Sequence, residues 1–105
     1  MNDEQFLVSW LHDEVNMGHL DKVRALLRYG ADVNGRNIFE QTPLMAAAYT
    51  GQPEMVNLLL SFGADDSAVD WNGMTALQLA ESVGHISVMA RLREHQKQPM
   101  QEPSV

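Results

Sequence analysis

Apolar residues return along this chain at a fixed step of 33 positions. Leu11, Leu44 and Leu77 form one series, Leu26, Leu59 and Leu92 another, and Val23 and Val56 are continued by Met89. Glycine keeps the same step at Gly18, Gly51 and Gly84, and "GADVN" at 30–34 is answered by "GADDS" at 63–67. Thr42 is matched by Thr75, Ala47 by Ala80, and His19 by His85 two steps on. A period of this length marks a repeat architecture, in which each unit is one supersecondary element that buries its apolar face on a neighbour. Three units fit, at about 5–37, 38–70 and 71–95.

Inside a unit the apolar period is helical and is punctuated by caps. Thr42 is placed as an N-cap with Pro43 at the first helical position, where a missing N–H costs nothing. Leu44, Ala47 and Ala48 then form one face and Gly51 ends the helix. Pro53 opens a second helix with Met55, Val56, Leu59 and Leu60 on its apolar side, closed by Gly63. The stretch "ADDSAVDWNGM" has the Asp, Asn, Ser and Gly density of a turn or hairpin. In the third unit Thr75 and Gln78 are spaced as a capping box. The run Ala46, Ala47, Ala48 leaves room for a neighbouring helix to approach closely. The pattern predicts an all-α repeat solenoid, each unit being helix, tight turn, helix and a β-hairpin-like loop.

The ends of the pattern are more polar than its middle. Glu14 stands where the other units have Ala47 and Ala80, Glu81 replaces Ala48, and Arg93 replaces Leu27 and Leu60. Stacked repeats expose one face at each end, and polar substitutions there favour solubility, so the expectation is a self-capped array over 1–95. Residues 96–105, "QKQPMQEPSV", lack an apolar period and are expected to be a disordered tail.

Composition changes the picture in two ways. The 105 residues carry 14 acidic against 7 basic side chains, a formal charge of −7. That balance opposes the phosphate neutralisation on which nucleic-acid binding depends, and attraction to an anionic membrane likewise. With no Cys, there is neither a disulfide framework nor thiolate chemistry. No basic leader or membrane-length apolar run is present, so the expected location is the cytoplasm, with the nucleus as the alternative.

The segments "QTPLMAAAYTGQPEMVNLLLSFGAD" and "GHLDKVRALLRYGADVN" resemble the ankyrin repeat, whose period is 33 residues and whose motif is T-P-L-H-x-A. Roughly 90 of the 105 residues take part. The motif's His survives as His12 but is Met45 and Gln78 in the later units, its Pro is Trp10 and Ala76, and the Asn closing "GADVN" is Ser67 in "GADDS". The resemblance implies hydrogen bonds that support the turns, so a less rigid loop is expected after the second unit. Asn34, with Leu26 eight residues before it, also resembles the asparagine that is hydroxylated in ankyrin repeats of animal cells.

Catalytic candidates are few. His12, Asp13, Glu14 and His19 are the densest group, but adjacent helical residues point in different directions and the H-E-x-x-H spacing is missing. His12 is expected to be a structural hydrogen-bonding residue and Glu14 a polar cap; the repetition of His19 and His85 after turn glycines argues for a turn role. Asp65, Asp66 and Asp70 lack the alternating ligands, Gly and terminal Glu of a calcium loop. The expectation is a protein without enzymatic activity, cofactor, metal or small-molecule substrate.

The resemblance places partner contacts on the concave face: the loop tips, the last turn of each first helix, and the residue before the Gly of "GAD". Those positions hold Ile38, Phe39 and Gln41; Trp71, Asn72 and Met74; Met17 and Tyr49; and Tyr29 and Phe62. Tyr29, Phe62 and Met17 suit packing between units. Ile38, Phe39, Trp71 and Met74, at tips with few neighbours, suit contact with another molecule. Asp32, Glu40, Asp65, Asp66 and Asp70 would ring the strip with negative charge, which favours a partner segment both apolar and basic. The expected protein is a monomeric interaction module, an adaptor, inhibitor or scaffold; self-association through the same strip is the alternative reading.

Overall fold

A computed structural model describes residues 3–97, which form six helices and no strand among the described residues. They are α1 (Asp3–Met17), α2 (Leu20–Tyr29), α3 (Pro43–Tyr49), α4 (Pro53–Ser61), α5 (Ala76–Val83) and α6 (Ile86–Lys97). Helices α1, α3 and α5 pack in one row and α2, α4 and α6 in a second, each pair joined by a tight turn.

The caps act as their residue types dictate. Thr42 Oγ1 accepts from the Met45 N–H at 3.2 Å with Pro43 at the first helical position, and Thr75 Oγ1 accepts from the Gln78 N–H at the same distance while Gln78 Oε1 accepts from the Thr75 N–H at 2.9 Å. Met45, in the motif's His position, offers only its thioether sulfur to the Thr42 N–H at 3.5 Å. The recurrent "GAD" divides its work among three residues. Gly30 and Gly63 take the left-handed conformation that ends a helix, with φ of 119° and 91°. Ala31 and Ala64 are buried. Asp32 and Asp65 accept from the N–H two residues on, closing an Asx turn.

The core runs continuously along the stack, with Leu11, Val15, Val23, Leu44, Val56, Leu59 and Leu92 buried along its length. Ala47 and Ala80 are fully buried between the rows, where small side chains let helices approach. Leu60, expected on the apolar face of α4, is only half-buried, and Leu58 is buried there instead.

Side chains that follow the turn glycines strap each repeat to its predecessor. Gln52 Nε2 donates to the Val15 carbonyl at 2.8 Å, and His85 Nε2 donates to the Tyr49 carbonyl at 3.0 Å. The His85 ring lies so close over Gly51 that a Cβ there would stand 2.7 Å from it. His19, at the corresponding place in the first repeat, turns to Glu14 instead, at 2.6 Å. The structural role expected of His12 is met by a 2.8 Å bond from its Nε2 to the Gly35 carbonyl.

Three features differ from the sequence reading. Helix α1 begins at Asp3, about two turns before the place where α3 and α5 begin, because "EQFLV" has no Asn, Asp or Gly to make the turn that precedes Thr42 and Thr75, and the helix runs through it. Helix α6 continues through Gln96 and Lys97, past the boundary placed at 95; residues 98–105 of the expected tail lie outside the described residues. The hairpin-like loops are tight turns, each closed by two backbone bonds, rather than paired strands.

Candidate protein-binding surface

Two loop tips stand at matching positions one repeat apart. Asn37 Oδ1 accepts from the Phe39 and Gln41 N–H groups at 2.9 and 3.0 Å; Asp70 Oδ1 accepts from the Asn72 and Met74 N–H groups at the same two distances. A backbone bond closes each tip, from the Asn37 N–H to the Gln41 carbonyl and from the Asp70 N–H to the Met74 carbonyl. With the backbone groups turned inward to one acceptor, the side chains between are turned out. Ile38 is 83% exposed, Trp71 72% and Phe39 58%. Because hydrogen bonds already order the backbone beneath these side chains, covering them with a partner carries little further cost of ordering the loop.

The tips are coupled. One guanidinium nitrogen of Arg36 donates to the Glu40 carbonyl at 2.7 Å within its own loop and to the Val69 carbonyl at 2.8 Å in the next. Behind them Asn34 spans the same gap, accepting from the Asp65 N–H at 2.8 Å and donating to the Gly63 carbonyl at 3.4 Å. Ser67, its counterpart, donates by its N–H and its hydroxyl to Asp65 within its own turn.

The remaining expected contacts separate into groups. Asn72 is exposed beside Trp71, Gln41 is half-buried at the base of its tip, and Met74 leans onto the core, so its thioether belongs as much to packing as to the surface. Tyr49 and Met17 are exposed at the far ends of α3 and α1; at ~1.5 Å per residue, Tyr49 lies roughly 10 Å along the helix from the tip end. Phe62 packs against the core as expected, but Tyr29 and Met17 do not pack between repeats: they are 79% and 65% exposed, because both project from the rim of the first helix pair.

The long α1 adds a wall that the pattern did not reveal. Between it and the first tip lies an open groove of about 960 Å³, lined among others by Val8, His12 and Asp13 on one side and Arg36, Ile38 and Phe39 on the other. Gly35 forms its floor, packed so tightly under Val8 that a Cβ would fall 2.5 Å from a methyl carbon. Glu4, Asp13 and Asp32 make the lining mainly acidic, with Arg36 the cation among them.

The titratable groups are engaged in holding structure. Burial of His12 depresses its pKa below the ordinary 6.5, against the opposing pull of the Gly35 carbonyl. Glu14, buried rather than displayed as a polar cap, accepts from His19 and from Trp10 Nε1; the His19 bond above all holds its carboxyl below the usual range. Hydrogen bonds from Ser67 do the same for Asp65. Among the described residues no three His, Asp or Glu side chains gather as a metal site, and no helix is long and apolar enough to cross a membrane.

A stack of capped helix pairs, strapped to one another by Gln52 and His85 and presenting ordered loop tips, defines a helical repeat protein. The family model for ankyrin repeats (3 copies) matches residues 11–102, and the chain belongs to the ankyrin-repeat family. It is similar to the ARF GTPase-activating protein Git of Drosophila melanogaster, 40% identical over 85% of this chain and 12% of that protein. It is 46% identical to the probable E3 ubiquitin-protein ligase XBOS33 of Oryza sativa, over 74% of this chain and 15% of the relative. Human protein phosphatase 1 regulatory subunit 27 is 40% identical over 60% of this chain and 41% of its own length. The chain thus spans less than half of each of these relatives. Ankyrin repeats generally mediate protein–protein interaction and are not themselves catalytic.

Proposed function

We propose that this chain is a non-catalytic protein-binding module, acting in the cytoplasm, that grips an apolar and basic segment of a partner with its two coupled loop tips. Ile38, Phe39 and Trp71 are the anchors, and Asn72, Gln41 and Met74 complete the contact; Tyr49 and Met17 extend it when the bound segment is long enough to reach the far ends of α3 and α1. The observation that supports this best is the exposure of three large apolar side chains on tips that hydrogen bonds hold in place and Arg36 ties together. Aromatic anchors of that kind dominate binding energy, while an acidic surround governs approach and specificity. The relatives include a protein named as a phosphatase regulatory subunit, in keeping with a regulatory or adaptor role.

The test is capture from cell extract by the wild type and by a Phe39→Ala, Trp71→Ala double variant, each first shown to melt cooperatively. A protein retained by the wild type and lost by the variant is the expected result. Equal retention by both would remove the tips from the account.

A further inference from the structure

The face by which the second repeat stacks on its predecessor is turned to solvent in the first repeat. Counting 33 residues back, Met55 and Leu58 of α4 and Phe62 at its C-cap correspond to Lys22, Ala25 and Tyr29 of α2, and Pro43 of α3 to Trp10 of α1. Met55, Leu58 and Pro43 are buried, and Leu58 and Phe62 line, with Leu20 and Arg24, the groove between α4 and α2. Their counterparts Lys22, Ala25, Tyr29 and Trp10 are all exposed. The long α1 adds Phe6, whose ring is tilted at 58° against that of Trp10 with centroids 6.0 Å apart. Phe6, Trp10 and Tyr29 line one open groove of about 640 Å³ between α1 and α2, floored by Leu7 and Leu26. Three aromatics sharing one groove are not the scattered apolar residues of an ordinary surface, and aromatics are enriched in the cores of interfaces.

Another repeat in register does not fit this face. Pro43 and Ala76 stand at the point of close approach where α1 has Trp10, and an indole there would hold a stacked helix off. The opposite end of a second molecule fits no better, because Arg93 and Glu81 form a 2.8 Å ion pair on it, with Glu94 nearby in sequence, and covering those charges with rings would strip their water. The same face of a second molecule answers these objections best. Apolar surface then meets apolar surface, and the rim charges Lys22 and Asp3 are of opposite sign. Glu14, which also lines the groove, is already bonded to Trp10 and His19 and demands no partner from across the contact. Like-to-like pairing also closes about a two-fold axis, whereas head-to-tail contact would propagate.

We propose that the chain forms a homodimer through the outer face of α1 and α2, with Phe6, Trp10 and Tyr29 of each copy at its centre. This departs from the monomer expected from sequence, which did not reveal the two added turns of α1. None of the tip residues takes part, so the dimer carries two partner-binding strips.

Sedimentation equilibrium of the full chain across a hundredfold concentration range tests it, alongside Tyr29→Glu and Ile38→Glu. The wild-type mass should rise from 11.8 kDa towards twice that value. Tyr29→Glu, at a side chain too exposed to support the fold, should weaken association by more than about tenfold while melting as the wild type does. Ile38→Glu should associate like the wild type. A wild type that stays monomeric throughout, a dimer that survives Tyr29→Glu, or one that Ile38→Glu dissolves would each overturn the proposal.

Discussion

The guanidinium of Arg36 reaches from the first loop to the carbonyl of Val69 in the second, 33 residues along the chain, at 2.8 Å. It also holds the carbonyl of Glu40 in its own tip at 2.7 Å, so one side chain fixes the spacing of the two tips that display Ile38, Phe39 and Trp71. Arg36→Ala should cost about 1 kcal/mol of stability, as an exposed hydrogen-bonding group does. Its larger effect should be faster amide exchange in residues 69–74, read by hydrogen exchange; unchanged exchange there would show that the tips are independent.

Asp70 holds its tip through one oxygen that accepts from both Asn72 and Met74. Asp70→Asn keeps that acceptor, as Asn37 does in the first tip, and should melt within a degree or two of the wild type. Asp70→Ala should lose about 1–2 kcal/mol, because two N–H groups then lack their acceptor. Equal melts for the two variants would contradict the clamp.

Glu40 has a φ of 60°, the one positive value among the described non-glycine residues, and its counterpart one repeat on is Gly73 at 76°. A side chain in that region costs roughly 1 kcal/mol, partly offset by the chain entropy that a glycine adds to the unfolded state. Glu40→Gly should therefore be neutral to stabilising by about 0.5 kcal/mol, whereas Glu40→Val should destabilise. Denaturant midpoints decide between them.

The His12 ring is buried with Nε2 donating to the Gly35 carbonyl and Nδ1 without a partner, and burial lowers its pKa from the ordinary 6.5. The unfolded chain therefore takes up a proton there more readily than the folded one. Stability from this site is complete above pH 6.5 and declines as pH falls through 6.5 toward the lowered folded value. Thermal melts on both sides of 6.5 should show the decline, and His12→Gln, which keeps an N–H donor, should lessen it. A wild type indifferent to pH in that window would contradict the assignment.

Most of the fold could be read from the chain because its determinants are local. Thr42-Pro43, Thr75 with Gln78 and the glycines of "GAD" act within one turn of where they stand, and their spacing repeats. The positions of the tips follow from the resemblance, whereas the side chains that order them, Asn37 and Asp70 bonding backbone two and four residues on, carry no mark of that role in the sequence reading. What was not legible depends on contacts between distant segments or on the absence of a signal. Nothing in "EQFLVSW" stops a helix, but its extension to Asp3 is visible only as missing turn residues where the later repeats have Asn37 and Asp70. Tyr29 and Met17 suit a core by residue type, and only the stack's geometry shows that no neighbour covers them. Arg36, Asn34 and Gln52 bind across 29 to 37 residues, and none of those partners is marked in the sequence.

The central claim is that the exposed tips are where a partner binds, and it is tested most directly by titrating a partner captured through the wild type against Trp71→Ala. That residue is exposed and outside the core, so the variant should melt as the wild type does yet bind more weakly by about 2 kcal/mol or more. Binding of unchanged affinity by a folded Trp71→Ala protein would contradict the account.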